Sequence, residues 1–240
     1  MNETANYNYL EVKDISKVFG RRKVLSGINF FLKKGEFVTV FGPNGVGKTT
    51  LIKILSTILN PSKGDFYLEG TSAKRDPVFI RQNIGVLSHN PYLYPDLTAY
   101  ENLRFFSHLF GVEKVDERID ELLDLVGLSE RRFDMVRTFS RGMQQRIAIA
   151  RALLHEPALV FLDEPHSGLD PLAVEVLDQT INKLRESGTT FIMTTHSLEK
   201  GLVLADRALI LSSKGVVFNE PTKDVKVSDF KEVYLKQVKG

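Results

Sequence analysis

The stretch Phe37-Val-Thr-Val-Phe-Gly-Pro-Asn-Gly-Val-Gly-Lys-Thr-Thr50 decides how this chain is read. Its first five residues are apolar, β-branched or aromatic with one Thr between, the pattern of a strand buried on both faces. Gly42-x-x-x-x-Gly47-Lys48-Thr49 follows at once, and Leu51 to Leu59 then runs at helical spacing until Pro61 and Gly64. Strand, glycine loop and helix in that order form a phosphate cradle. Glycines at 42, 45 and 47 permit backbone conformations that a β-carbon obstructs. The loop N–H groups then converge on phosphate oxygens, and the helix adds its positive end. Gly42, Pro43, Asn44, Gly45, Val46, Gly47, Lys48, Thr49 and Thr50 are therefore the candidate nucleotide-binding set. Lys48 is expected to reach the β- and γ-phosphates, and the Thr49 hydroxyl to ligate Mg²⁺.

Working outward, Tyr9–Ile15 and Leu25–Leu32 alternate as strands, and Lys33-Lys-Gly-Glu36 makes a turn before Phe37. Residues 65–88 read as strands again. The character changes from about Thr98 to Glu156. There Ile119, Leu122, Leu123 and Val126 fall on one helical face, and Gly142–His155 is helix-like. After Pro157 come a strand at Ala158–Leu162, a helix at Pro171–Glu186 and strands at Thr189–Thr195, Arg207–Leu211 and Val216–Phe218. A last amphipathic helix carries Phe230, Val233, Tyr234 and Val238 on one face. This alternation predicts an α/β chain with a largely parallel sheet and ligands at the strand C-terminal ends. Residues 1–240 read as one domain, with a helical insertion at about 90–156.

Composition narrows the function. There is no Cys, which excludes disulfides, thiolate metal sites and a cysteine nucleophile. The 32 Lys and Arg against 30 Asp and Glu leave a net charge of +2, too little for a dedicated nucleic-acid binder. The most apolar region, Gly201–Phe218, is broken by Asp206, Arg207 and Lys214, so no membrane span is expected. The polar Met1–Tyr9 lacks the apolar core of a secretory signal. A cytoplasmic protein is predicted, free to dock on a membrane protein.

Hydrolysis needs an acidic residue beside the metal and a base. Leu159-Val-Phe-Leu-Asp163-Glu164 supplies both at the mouth of a buried strand. Asp163 is placed to hold Mg²⁺ through water, and Glu164 to orient and deprotonate the attacking water. His196 closes another apolar strand, Phe191-Ile-Met-Thr-Thr-His196. Two readings of it stand, a structural histidine and a γ-phosphate contact.

Further motifs follow the loop in order: Phe139-Ser-Arg-Gly-Met-Gln-Gln145, Leu162-Asp-Glu-Pro165, Ser167-Gly-Leu-Asp170 and His196. From about Leu10 to Phe218 the chain resembles the nucleotide-binding subunit of ATP-binding cassette (ABC) transporters. The resemblance implies a P-loop NTPase fold with a RecA-like core, an antiparallel β-subdomain and an inserted helical subdomain. It implies ATP and Mg²⁺ as cofactors, and catalysis by Glu164 and His196 with Lys48. Phe19 matches the aromatic that stacks on adenine. Ser140 and Gly142 match the signature segment that contacts ATP held by the opposite subunit, and Asp170 matches the D-loop at that interface. The implied partners are a separately encoded transmembrane permease and a second ATPase subunit arranged head to tail, either an identical copy or a paralogue. The implied location is the inner face of the cell membrane, and the branch resemblance given below favours export as the direction. A soluble ATPase of the same superfamily, acting in cluster assembly, is the other reading. The signature also fits physically. A Ser hydroxyl and N–H groups ahead of a helix starting near Met143 make an anion site.

Four features depart from the family pattern. Arg141 and Met143 stand within the signature. His166 follows Pro165 where Thr is commoner, and a surface position is expected for it. His89 replaces the Gln that helps order Mg²⁺ and water. Ser88–Thr98 is similar to a branch that includes haem-exporter ATPases. There Tyr92, Leu93 and Tyr94 have two readings, a groove for a permease helix and packing between subdomains.

Overall fold

Apolar runs in the sequence become the strands of a computed structural model, which describes residues 8–88, 90–223 and 225–239. In chain order the elements are β1 (Leu10–Phe19), β2 (Arg22–Leu32), β3 (Phe37–Phe41), α1 (Lys48–Leu55), β4 (Lys63–Leu68), β5 (Thr71–Ser72), α2 (Pro77–Asn83) and β6 (Ile84–Leu87). Then follow α3 (Ala99–Phe110), α4 (Val115–Leu125), α5 (Arg141–Leu153), β7 (Leu159–Asp163), α6 (Pro171–Glu186), β8 (Thr190–Thr195), α7 (Leu198–Leu204), β9 (Arg207–Ser212), β10 (Gly215–Pro221) and α8 (Val227–Lys239). The chain forms two compact units, one running to Arg81 and resuming at Thr190, the other Gln82–Thr189. Among the described residues no helix is long and apolar enough to cross a membrane.

In the first unit, β2, β1, β4 and β5 make an antiparallel sheet in that order. β3 runs parallel to both β8 and β9, and β10 closes antiparallel on β9. All five residues of β3 are buried, as its apolar and β-branched run requires. Phe37 stacks on Phe191 with centroids 5.0 Å apart, and Phe41 packs on Phe230 at 4.9 Å. α8 therefore docks as its spacing predicted, laying Phe230, Val233, Tyr234 and Val238 on a core of Phe41, Leu202, Ala208 and Ile210. A two-pronged pair between Arg207 and Glu36, at 2.7 and 2.9 Å, ties the start of β9 to the turn before β3.

Several boundaries differ from the expectation. α1 ends at Leu55, not Leu59, because Thr57 takes a φ of 59° and its N–H turns back to the Ile54 carbonyl. Residues 77–83 are helical rather than extended. Pro77 opens α2, and Asp76 Oδ1 accepts the Phe79 N–H at 2.9 Å. α7 starts on a Ser197 cap and runs into the first four residues of the apolar Gly201 region, where no helix was expected.

In the second unit, β6 and β7 pair in parallel from Ile84–Leu159 to Leu87–Leu162. α3 opens on a reciprocal cap, with the Glu101 N–H donating to Thr98 Oγ1 at 3.1 Å and the Thr98 N–H to Glu101 Oε2 at 2.8 Å. Ile119, Leu122, Leu123 and Val126 are buried, as their spacing predicted. Two arginines close helix ends whose carbonyls lack partners within the helix. Arg118 donates to the carbonyls of Leu153 and Leu154 after α5, and Arg146 to those of Val126 and Gly127 after α4. His155, two residues past α5, bonds the Ile84 carbonyl at the start of β6 at 2.9 Å and stacks on Phe110 at the end of α3 at 4.0 Å.

Candidate nucleotide site

Phe19, the 42–50 loop and His196 lie in the first unit, and Ser140, Gly142, Asp163, Glu164 and Asp170 in the second. His89 lies outside the described residues.

In the first unit the loop is pressed tightly between neighbours. A Cβ on Gly42 would stand 2.7 Å from the Leu211 carbonyl oxygen, and one on Gly47 would stand 2.7 Å from Leu25 Cδ2. Gly47 also holds a φ of 113°, where a larger residue is strained. It is the N-cap of α1, so no side chain caps that helix, and no acidic residue lies in its first turn. N–H groups at an N-terminus without a side-chain cap are of the kind that can receive an anion. Lys48 is buried, and its ammonium donates to the Gly42 and Pro43 carbonyls at 2.7 and 3.4 Å. A cation is thus held within the glycine loop. Thr49 and His196 are exposed, the latter directly after β8. Phe19 is 47% exposed and carries the Lys17 ammonium 5.1 Å from its ring centre.

In the second unit every residue of β7 is buried, and the strand ends on Asp163, itself 2% exposed. A buried carboxylate and a Thr hydroxyl are hard oxygen donors of the kind Mg²⁺ takes. Glu164 is half-buried and holds a φ of 50°, a conformation that costs a non-glycine residue about 1–2 kcal/mol. Such strain collects at functional positions. The Ser167 N–H closes the turn onto the Glu164 carbonyl at 3.0 Å. Ser140 caps α5, accepting the Met143 N–H at 3.3 Å. α5 begins at Arg141, so Gly142 sits inside its first turn rather than ahead of it. A Cβ there would meet Ala173 Cβ at 2.7 Å, so glycine lets α5 approach α6. Asp170 caps α6 through a 2.9 Å bond from the Ala173 N–H.

A family model for ABC transporters matches residues 25–167. The chain belongs to the ABC transporter ATP-binding family. The linearmycin resistance ATP-binding protein LnrL of Bacillus subtilis (strain 168) is 38% identical over 204 residues. That match takes in 84% of this chain and 66% of LnrL, so the chain spans about two thirds of that relative. A solved ATP-binding subunit of an ABC transporter superposes with a TM-score of 0.85 at 30% identity, covering 95% of this chain and 98% of its own. A dimeric ATP-binding cassette in a post-hydrolysis state, bound to ADP and Pi, superposes with a TM-score of 0.80 at 28% identity, over 89% and 98%. The mixed α/β architecture is accordingly that of a P-loop ABC ATPase.

In this ABC ATPase the sequence reading of His166 needs correction. The side chain is 11% exposed, not a surface group, and its Nε2 lies 2.6 Å from Asp178 Oδ1. Sequence reasoning also missed Arg151. Its guanidinium bonds the Val86 carbonyl at 2.9 Å and lies over the rings of Phe106 and Tyr92. Burial pushes it down to about 10, against a smaller opposing pull from Tyr92. Tyr92 and Tyr94 are each 48% exposed although Tyr94 packs edge-on against Phe105. Asn102 clamps the loop by accepting the Tyr94 N–H and donating to its carbonyl.

Proposed function

We propose that this ABC ATPase binds ATP with Mg²⁺, hydrolyses it, and thereby powers a separately encoded transmembrane permease, with export as the direction. The observation that carries the reading is the glycine loop leading into α1, whose N-terminus no side chain caps and which encloses the Lys48 cation. In the proposal Phe19 stacks on adenine, the loop N–H groups and Lys48 bind the phosphates, and Thr49 and Asp163 hold Mg²⁺. The metal would supply positive charge to the β- and γ-phosphate oxygens. Glu164 orients the attacking water and takes its proton, and His196 contacts the γ-phosphate. Ser140 and Gly142 open α5 toward the ATP of a second subunit placed head to tail, with Asp170 at that interface. The second subunit is an identical copy or a paralogue. The chain acts as one ABC ATPase domain with residues 90–156 as its helical subdomain.

Support for export comes from the resistance name of LnrL, although other relatives carry import in their names. In this proposal the chain works from the cytoplasmic face, where the half-exposed Tyr92 and Tyr94 with Leu93 take up a permease helix. Crosslinking from position 93 to a co-expressed permease checks that contact, and failure at several neighbouring positions removes it. The central test compares wild type with Glu164→Gln. Retained ATP binding with hydrolysis cut by 100-fold or more supports the reading; hydrolysis at the wild-type rate overturns the assignment of the base.

A further inference from the structure

We propose that His166, acting through Asp178, is a positioning residue that aims the Glu164 carboxylate. The inference rests on the reading of Glu164 as the base. Glu164 leaves β7 with a left-handed backbone, so the direction of its side chain depends on how residues 164–168 are held. Two main-chain bonds shape that turn, Ser167 N–H to the Glu164 carbonyl and Leu169 N–H to the His166 carbonyl, at 3.0 and 3.3 Å. Neither ties the turn to another element. Side chains do that. Gln145 of α5 donates to the Pro165 carbonyl at 3.2 Å, and His166 donates from Nε2 to Asp178 of α6 at 2.6 Å. A Cβ on Gly168 would stand 2.6 Å from the Arg141 Cζ, so the guanidinium packs closely on the turn at that residue.

The His166 bond is the shortest of these contacts, and its carboxylate partner makes it charge-assisted. Both groups are largely buried, with side chains 11% and 24% exposed, so water competes weakly for the bond. The pair joins the residue two places after Glu164 to the middle of a sixteen-residue helix. A Thr at 166 would lack the ring that carries Nε2 out to Asp178. In this chain α6 thus holds the turn through a side-chain pair.

The experiment measures kcat, KM for ATP, nucleotide affinity and melting temperature for His166→Phe, His166→Gln, Asp178→Asn and the His166→Phe/Asp178→Asn double variant, beside Glu164→Gln. His166→Phe keeps an aromatic ring but loses the bond; it is expected to lower kcat about tenfold with ATP affinity within about twofold of wild type. His166→Gln keeps an N–H donor at a similar reach and is expected to recover most of kcat. The double variant is expected to be no slower than the slower single variant, as residues acting as one unit are non-additive. Wild-type kcat for His166→Phe overturns the proposal, and so does additive loss in the double variant. Parallel losses of kcat and ATP affinity mark a merely structural role and overturn it too. If Glu164→Gln hydrolyses normally, the base assignment falls and the proposal with it; if Glu164→Gln is inactive while His166→Phe is unimpaired, only the proposal falls.

Discussion

Gly47 shows how much one position carries. It has a φ of 113°, lies against Leu25, and starts α1 without a side-chain cap. Gly47→Ala is expected to lower stability by about 1–2 kcal/mol, the cost of a β-carbon in the left-handed region. ATP affinity is expected to fall by tenfold or more, since the same strain moves the N–H groups that bind phosphate in the proposed function. Thermal melting and titration with a fluorescent ATP analogue read the two effects separately. His155 supplies a pH test at the same scale. Burial holds its imidazole below the usual range, and the nearby Arg151 and Arg118 charges push the same way against the bond to Ile84. With the folded value depressed, acid protonates the unfolded chain first. The contribution of His155 to stability is therefore complete above the unfolded value near 6.5 and declines as the pH falls below it. The loss by pH 5.5 is at most about 1.4 kcal/mol. His155→Gln keeps an N–H donor and removes the titration, so its melting temperature should fall less between pH 7.5 and 5.5 than that of wild type. Equal falls would show that other groups govern the acid sensitivity.

Among the elements, α3 is the one whose start is most fully specified. Thr98 and Glu101 satisfy each other's N–H groups, and Gly111 closes the far end in a left-handed conformation. Thr98→Ala is expected to cost about 1 kcal/mol, as loss of an N-cap does, and amide hydrogen exchange should rise first at Glu101. What could be read ahead of the structure follows from the range of the signal. β3, β7 and α6 were legible because a short apolar or β-branched run, or a longer helical stretch such as 171–186, is a local pattern. α2 and α7 are seven residues each, too short for a helical period to emerge, and only the Asp76-Pro77 and Ser197 starts betray them. His166 was misplaced for a different reason. Its partner Asp178 is twelve residues away on the next helix, and no local pattern announces that pairing.

At the scale of the whole molecule, the phosphate loop and the acidic strand were legible because their chemistry resides in motifs. The clamps on the 164–168 turn were not, because they come from the packing of α5 and α6. The association state is the remaining test at this scale. In the proposed arrangement the N–H groups opening α5 meet the γ-phosphate of the opposite subunit, so ATP contributes contacts to the dimer that ADP lacks. A ligand can shift an equilibrium only by such a difference between states. Glu164→Gln with ATP and Mg²⁺ should therefore scatter light with about twice the 27.1 kDa mass of the chain, and with ADP as a monomer. The dimer should also weaken as free ATP is lowered, because a ligand held by the dimer stabilises it by mass action. A dimer formed equally well with ADP would remove the γ-phosphate from the account. A variant that binds ATP, fails to hydrolyse it and stays monomeric would point to a paralogue or to the membrane partner for the missing half-site.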